Sequence, residues 1–163
     1  MLIQEASVIT PNVTEALILQ GGDWRQIYAC LERVREDRTA YQSLVEKLAV
    51  SLREQYGLEA VVITGCHYRA QQEERVGNLI LQGERADWVD SPKRGGSYSG
   101  TGDLFASVIS AGLVKGEDLK DCARCAVAML DRAIGDAVKA GTDRNEGVEF
   151  ESYLSCLWKR ENC

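Results

Sequence analysis

The stretch A-S-V-I-T-P-N-V-T-E-A-L-I-L-Q, residues Ala6 to Gln20, changes its periodicity once, and that change decides the fold. Ala6 to Thr10 is a β-branched run that Pro11-Asn12 closes as a turn, so a strand is expected almost from the first residue. From Thr14 to Gln20 the apolar residues recur at helical spacing until Gly21-Gly22 stops them. Strand, turn and helix in immediate succession open a layered α/β chain.

The downstream sequence extends the alternation. Asp23 is placed to cap a second helix to about Arg35, with Trp24, Ile27, Tyr28, Leu31 and Val34 on one face. Ala40 to Tyr56 repeats the pattern with Leu44, Leu48 and Leu52, and Gly57 is suited to end it. Leu58 to Thr64 (L-E-A-V-V-I-T) is a second strand, apolar on successive residues as in a strand covered on both faces. It also ends in Thr followed by Gly. Arg75 to Gln82 and Glu84 to Val89 read as a hairpin, and Pro92 to Ser99 as a polar, Gly-rich mobile loop. Leu104 to Val114 is a helix. Gly116-Glu117-Asp118 starts another to about Ala140, with Leu119, Cys122, Ala126, Met129 and Ala133 inward, and Val148 to Arg160 forms a last one. This order gives an α/β fold with a largely parallel sheet that the hairpin makes mixed. Two parallel strands and a hairpin form a small sheet for so many helices, so apolar surface is left over and the chain is expected to be part of a larger unit.

Composition narrows the function classes. The 163 residues, 45% hydrophobic, suit one domain spanning 1–163 with a buried core. A net charge of −6 with no basic stripe argues against nucleic acid as a partner, while leaving room for a small phosphorylated ligand. The N-terminus shows no secretory leader, and no apolar run reaches about 18 residues, so a cytoplasmic protein without membrane association is expected. The even count of six cysteines, Cys30, Cys66, Cys122, Cys125, Cys156 and Cys163, permits disulfides, but without a leader reduced thiols are the better reading.

Three polar stations sit where open α/β sheets bind ligands, outside the carboxyl ends of strands. Thr10 to Glu15 follows the first strand, Thr64-Gly65 follows the second, and Gly100-Thr101-Gly102-Asp103 starts the Leu104 helix. Thr hydroxyls and the Asn12 amide can hold phosphate oxygens, and Glu15 can ligate Mg2+ directly or through water. Gly100 and Gly102 let the backbone approach an anion, which the amides and dipole of the helix start favour. Asp103, in the first turn, is placed to take a proton from an alcohol, and phosphoryl transfer asks for little else from protein. Each station also has an ordinary structural reading. Thr101 can cap a helix, Asn12 after Pro is common turn chemistry, and Thr64 alone carries nothing.

Other features are weaker. Cys122-Ala-Arg-Cys125 lacks a second ligand pair and lies in a helical pattern, so half-buried thiols are expected rather than zinc. Cys66 and His67 are adjacent on an extended segment, where their side chains point apart. Lys93 and Arg94 belong either to a solvated loop or to a phosphate-facing lid. Glu32 to Arg38 alternates in sign as a solvated helix face does, and Trp24, Trp88 and Trp158 suit packing.

At the three stations the sequence resembles the C-terminal part of the pyridoxal kinase family, in the ribokinase-like superfamily. V-I-T-P-N-V-T-E-A (Val8 to Ala16) is similar to the family's I-T-P-N-x-x-E-A segment, A-V-V-I-T-G (Ala60 to Gly65) to its strand ending in Thr, and S-G-T-G-D-L-F-A-S (Ser99 to Ser107) to its Gly-Thr-Gly-Asp signature. The resemblance implies a three-layer α/β/α ribokinase-like fold lacking the first strands of the sheet. It also implies ATP- and Mg2+-dependent phosphorylation of the 5′-hydroxymethyl group of pyridoxal, pyridoxine or pyridoxamine, as in vitamin B6 salvage, with the need for a monovalent cation left open. Carried over, Asp103 would deprotonate the substrate hydroxyl and the amides of Gly100, Thr101 and Gly102 would form the anion hole. Thr10, Asn12 and Glu15 would contact ATP phosphates and the magnesium network, with Thr64 near the nucleotide. Hydroxymethylpyrimidine phosphate kinases are similar too but often carry Cys where Asp103 stands, which favours the vitamin B6 substrate. Family members have a further N-terminal half that holds most of the ring contacts. The chain is therefore expected to be an incomplete kinase, with a non-catalytic nucleotide-binding or self-associating remnant as the alternative, and to form a homodimer as the family commonly does.

Overall fold

The β-branched run at Ala6 to Thr10 yields a shorter strand than expected in a computed structural model of the chain, which describes residues 2–157. Only Val8–Ile9 (β1) is strand, and Leu2–Glu5 before it is a 3-10 turn. The Ser7 carbonyl already accepts from the N–H groups of Glu59 and Ala60, so the ladder starts at Val8, pairing in parallel with Ala60. Two compact units divide the chain, residues 1–90 and 91–163.

In the first unit, β1 leads into Val13–Gln20 (α1), followed by Trp24–Arg33 (α2) and Arg38–Tyr56 (α3). Asp37 caps α3 by accepting from the Ala40 amide, and Gly57 ends it in the left-handed conformation only glycine adopts freely. Strands Ala60–Ala70 (β2), Glu73–Gln82 (β3) and Arg85–Pro92 (β4) complete a mixed sheet of order β1-β2-β3-β4. β2 and β3 are antiparallel. Gly83-Glu84 joins β3 to β4, a link too short for anything but an antiparallel return. Leu17, Val45, Leu48, Leu52, Val61, Ile63, Leu79 and Leu81 interlock as the core between helices and sheet. Ala60 to Ile63 are all buried, as the uninterrupted apolar run requires. Ile18 and Tyr28 remain exposed. For α1 this agrees with the expected surplus of apolar surface; for Tyr28 it corrects the expected inward face of α2.

The second strand does not stop at Thr64. Register passes from Ile63 opposite Leu79 to Cys66 opposite Gly77, so Thr64 and Gly65 face the single residue Asn78 across a β-bulge. Gly65, at φ +65, supplies the conformation that lets the strand continue to Ala70. Beyond the bulge Tyr68 is buried against Tyr41 and Trp88, with ring centroids 5.6 and 6.0 Å away, and Gly77 on β3 leaves room where a Cβ would come within 2.8 Å of Tyr68. Trp88 donates its indole N–H to Glu46 at 2.8 Å, so it packs as expected. Trp158 lies outside the described residues. The Glu32 to Arg38 run is more than a solvated face, because Glu36 pairs with Arg69 at 3.4 Å and the Arg38 guanidinium stands over the Tyr68 ring.

The second unit holds Thr101–Val114 (α4) and Leu119–Ala140 (α5), which pack together, and a 3-10 turn at Glu151–Leu157. Asp118 caps α5 through the amides of Lys120 and Asp121. Leu119, Cys122, Ala126, Met129 and Ala133 are buried, as their spacing predicts. The expected final helix is instead the 3-10 turn, whose Tyr153 hydroxyl donates to the Asp136 carboxylate on α5; Trp158 to Arg160 of that helix fall outside the described residues. Among the described residues no helix is long and apolar enough to cross a membrane.

Candidate functional site

The site residues expected from sequence fall into two groups, one in each unit. In residues 1–90, Thr10, Asn12 and Glu15 follow the carboxyl end of β1, and Thr64 lies beside them at the bulge within β2. A parallel bridge links Asn12 to Thr64, whose amide donates to the Pro11 carbonyl at 2.8 Å. The Thr64 hydroxyl reaches the same carbonyl at 3.4 Å. Asn12 and Glu15 form a reciprocal capping box: Asn12 Oδ1 accepts from the Glu15 amide, and Glu15 Oε2 accepts from the Asn12 amide, both at 2.9 Å. This structural role uses one oxygen of each side chain. The Asn12 amide nitrogen and the second Glu15 oxygen have no partner among the described residues. The bulge begins at Thr64 itself, so the strand backbone departs from its ladder beside these groups.

In residues 91–163, the start of α4 differs from those of α1, α3 and α5, each of which has a side-chain cap. Gly100 is its N-cap residue, left-handed at φ +80, and has no side chain to offer. Thr101 does not cap the helix: its hydroxyl donates backward to the Tyr98 carbonyl at 2.9 Å. The first intrahelical bond comes from Leu104 to the Gly100 carbonyl at 3.0 Å. The amides of Thr101 and Gly102 thus lack acceptors among the described residues, and a side chain built at Gly100 or Gly102 would meet nothing within 4 Å. Asp103 is exposed in this first turn, and its carboxylate has no hydrogen bond or ion pair among the described residues. Uncapped amides, open space and a free carboxylate are what an anion site with an adjacent base requires.

Sequence reading missed what holds this turn. Ser99 donates its amide to the Arg144 carbonyl at 2.9 Å, and Arg94 bonds Asp131 on α5 through Nε at 2.7 Å and Nη2 at 3.2 Å. Hydrogen bonding to Asp131 pushes the Arg94 pKa further up. Thirty-seven residues separate that pair, and no local pattern marks either member. The remaining candidates stay structural. Among the described residues Cys30 is exposed, Cys66 and Cys122 are buried, and Cys125 is half-buried. Burial pushes the Cys66 thiol far up, so it offers no thiolate, and His67 beside it is exposed where Cys66 is not. Among the described residues no three His, Cys, Asp or Glu side chains are placed to hold a metal.

A parallel strand–helix unit, an antiparallel extension of the same sheet and a glycine-rich helix start define a ribokinase-like α/β fold. Pyridoxal kinase from Lactobacillus plantarum superposes with a TM-score of 0.72 at 29% identity, over 96% of this chain and 50% of its own. The ADP complex of pyridoxal kinase from Staphylococcus aureus gives 0.60 at 25% identity, over 82% of this chain and 44% of its own. A hydroxymethylpyrimidine/phosphomethylpyrimidine kinase of Haemophilus influenzae is 28% identical over 142 residues, 86% of this chain and 47% of that protein. Residues 1–148 match the phosphomethylpyrimidine kinase family model, and the chain belongs to that family. It spans about half the length of the relatives it matches.

Proposed function

We propose that this chain carries the nucleotide-phosphate and catalytic end of a phosphotransferase that moves the γ-phosphoryl group of ATP to a ring hydroxymethyl group. The observation that carries the reading is the uncapped start of α4, with its free amides beside the unpartnered Asp103 carboxylate. Asp103 accepts the alcohol proton as the oxygen attacks phosphorus, while the amides of Gly100, Thr101 and Gly102 neutralise the transferring group. Thr10, Asn12 and Thr64 contact the nucleotide, Asn12 through the amide nitrogen left free by its capping role. Glu15 is the carboxylate available to Mg2+, which commonly takes one or two carboxylates and completes its shell with phosphate and water. The donor set fits a nucleotide-borne ion better than a resident one. Bound, the ion would offset phosphate charge.

Pyridoxal, pyridoxine or pyridoxamine is the substrate class the account favours, because an aspartate stands at residue 103. A hydroxymethylpyrimidine is the neighbouring alternative within the same family. A second reading, a nucleotide-binding or self-associating protein without turnover, is favoured by the half-length match to relatives. Calorimetry with Mg·ATP, run beside a pyridoxal phosphorylation assay and sedimentation for a homodimer, tests these readings. Binding without turnover by the 163-residue chain is expected. Turnover would overturn the second reading, and absent binding would overturn the phosphate site.

A further inference from the structure

The segment before the α4 turn is largely exposed, as a solvated loop is, yet it is also tied to α5. Arg94 approaches Asp131 as a fork, Nε on Oδ1 at 2.7 Å and Nη2 on Oδ2 at 3.2 Å, the geometry that gives Arg–carboxylate pairs directional strength. Its stem crosses α5 at Gly135, where even a modest Cβ would stand 3.5 Å from Arg94 Cδ. Gly95 follows at φ +58, so close to α5 that a Cβ would come within 2.7 Å of Val138 Cγ2. Asp131 and Val138 are two helical turns apart and share a face. Gly96 lies against the Arg144 guanidinium, which a Cβ there would displace, and the Ser99 amide then bonds the Arg144 carbonyl at 2.9 Å. The next residue is Gly100. From Arg94 to Ser99 the backbone is therefore laid down along α5 and the turn after it, and the Thr101 hydroxyl carries the hold forward by bonding Tyr98.

We propose that Arg94 is a positioning residue: its fork to Asp131 anchors the 94–99 segment on α5 and so holds the Gly100–Asp103 turn open for a phosphate. The inference rests on the phosphate-site reading of that turn. Anion stabilisation depends on donors fixed before the ligand arrives, and a turn free to fold inward would spend its amides on local acceptors. Arg94 touches no reacting atom in this account; it acts through the backbone it restrains. Lysine cannot replace it fully, because an ammonium lacks the planar fork.

Amide hydrogen exchange and Mg·ADP calorimetry on the full chain test the proposal together. R94A and D131N should each raise exchange of the Ser99 amide, which the Arg144 carbonyl holds, about fivefold, the loss expected for a well-formed, partly exposed ion pair. R94K should fall between, and the reversed pair R94D/D131R should restore slow exchange. The Mg·ADP dissociation constant should rise in parallel, by about fivefold in R94A and D131N, and recover in the reversed pair. Unchanged exchange in R94A, or no recovery in the reversed pair, overturns the anchor. Faster exchange with unchanged ADP affinity overturns the positioning role alone. A wild-type chain with no affinity for Mg·ADP overturns the phosphate-site reading, and the positioning role with it, while exchange still reports the anchor.

Discussion

Gly112 on α4 faces Cys122 on α5 so closely that a methyl group added there would stand on the cysteine sulfur. Gly112→Ala therefore sets two effects of opposite sign against each other. Alanine gains about 1 kcal/mol over glycine inside a helix. Forcing a methyl into an occupied contact costs about 1–3 kcal/mol through displaced side chains and backbone. Cys122 is 2% exposed and Gly112 is buried between the helices, so the sulfur has little space to yield, and a net loss of about 1 kcal/mol is expected. Cys122→Ala removes the sulfur and leaves the Cβ 3.3 Å from the added methyl, a contact that a shift of a few tenths of an ångström relieves. In that background Gly112→Ala should become stabilising by about 1 kcal/mol, giving a coupling energy of about 2 kcal/mol between the two sites. Urea unfolding of the four proteins, compared at equal slope, measures this cycle. A stabilising Gly112→Ala in the native background, with coupling below about 0.5 kcal/mol, would refute the reasoning and place α4 farther from α5 than described. The result bears on function because α4 carries Asp103.

Three further outcomes are expected. Gln71 and Gln72 turn the β2–β3 hairpin at φ +51 and +68, a conformation suited to Asn-Gly, so Gln71→Asn/Gln72→Gly should raise stability by about 1 kcal/mol in urea unfolding. Burial, and secondarily the Asp90 charge, pushes the Tyr68 pKa from 10.0 up to about 12. The folded state thus holds that proton longer than the unfolded chain. Its contribution is complete below pH 10 and lost as pH rises to about 12; Tyr68→Phe should flatten the decline over that window, leaving the parts due to Tyr41 and Cys66, which burial also raises. Asn12→Ala should cost about 1 kcal/mol through the lost cap. Asn12→Asp should keep that stability, since Asp caps equally well, yet weaken Mg·ATP binding measured by calorimetry, because it puts a carboxylate where a phosphate donor is proposed.

Helices α1 to α5 were legible because their signals are local, although Asp23 makes no side-chain cap at α2 and the expected last helix is a 3-10 turn. Asp37 and Asp118 accept from the amides two or three residues on, Gly57 and Gly141 end their helices left-handed, and the inward face of α5 follows its spacing. The strand limits were not. Thr64-Gly65 carries the signature of a strand end, but a glycine with positive φ equally serves a bulge, and only pairing with β3 decides between them. At the candidate site, the residue types of Asn12, Glu15 and Thr101 were visible while their bonding was not. The capping box commits half of Asn12 and Glu15, and Thr101 turns away from its own helix to Tyr98. What holds the Gly100 turn was invisible for a physical reason. Arg94 with Asp131, and Ser99 with Arg144, are long-range contacts that no periodicity encodes.

The central claim is that two clusters of this chain, Asn12 with Thr64 and Gly100 to Asp103, bind nucleotide phosphate. Backbone amide spectra of the 18.0 kDa chain, recorded while Mg·ATP is added, address it directly. The account predicts saturable shifts at Gly100, Thr101, Gly102 and Asp103 and at Asn12 and Thr64, retained in Asp103→Asn because the carboxylate serves transfer rather than binding. Amides at these positions that stay unmoved through saturating Mg·ATP would contradict it.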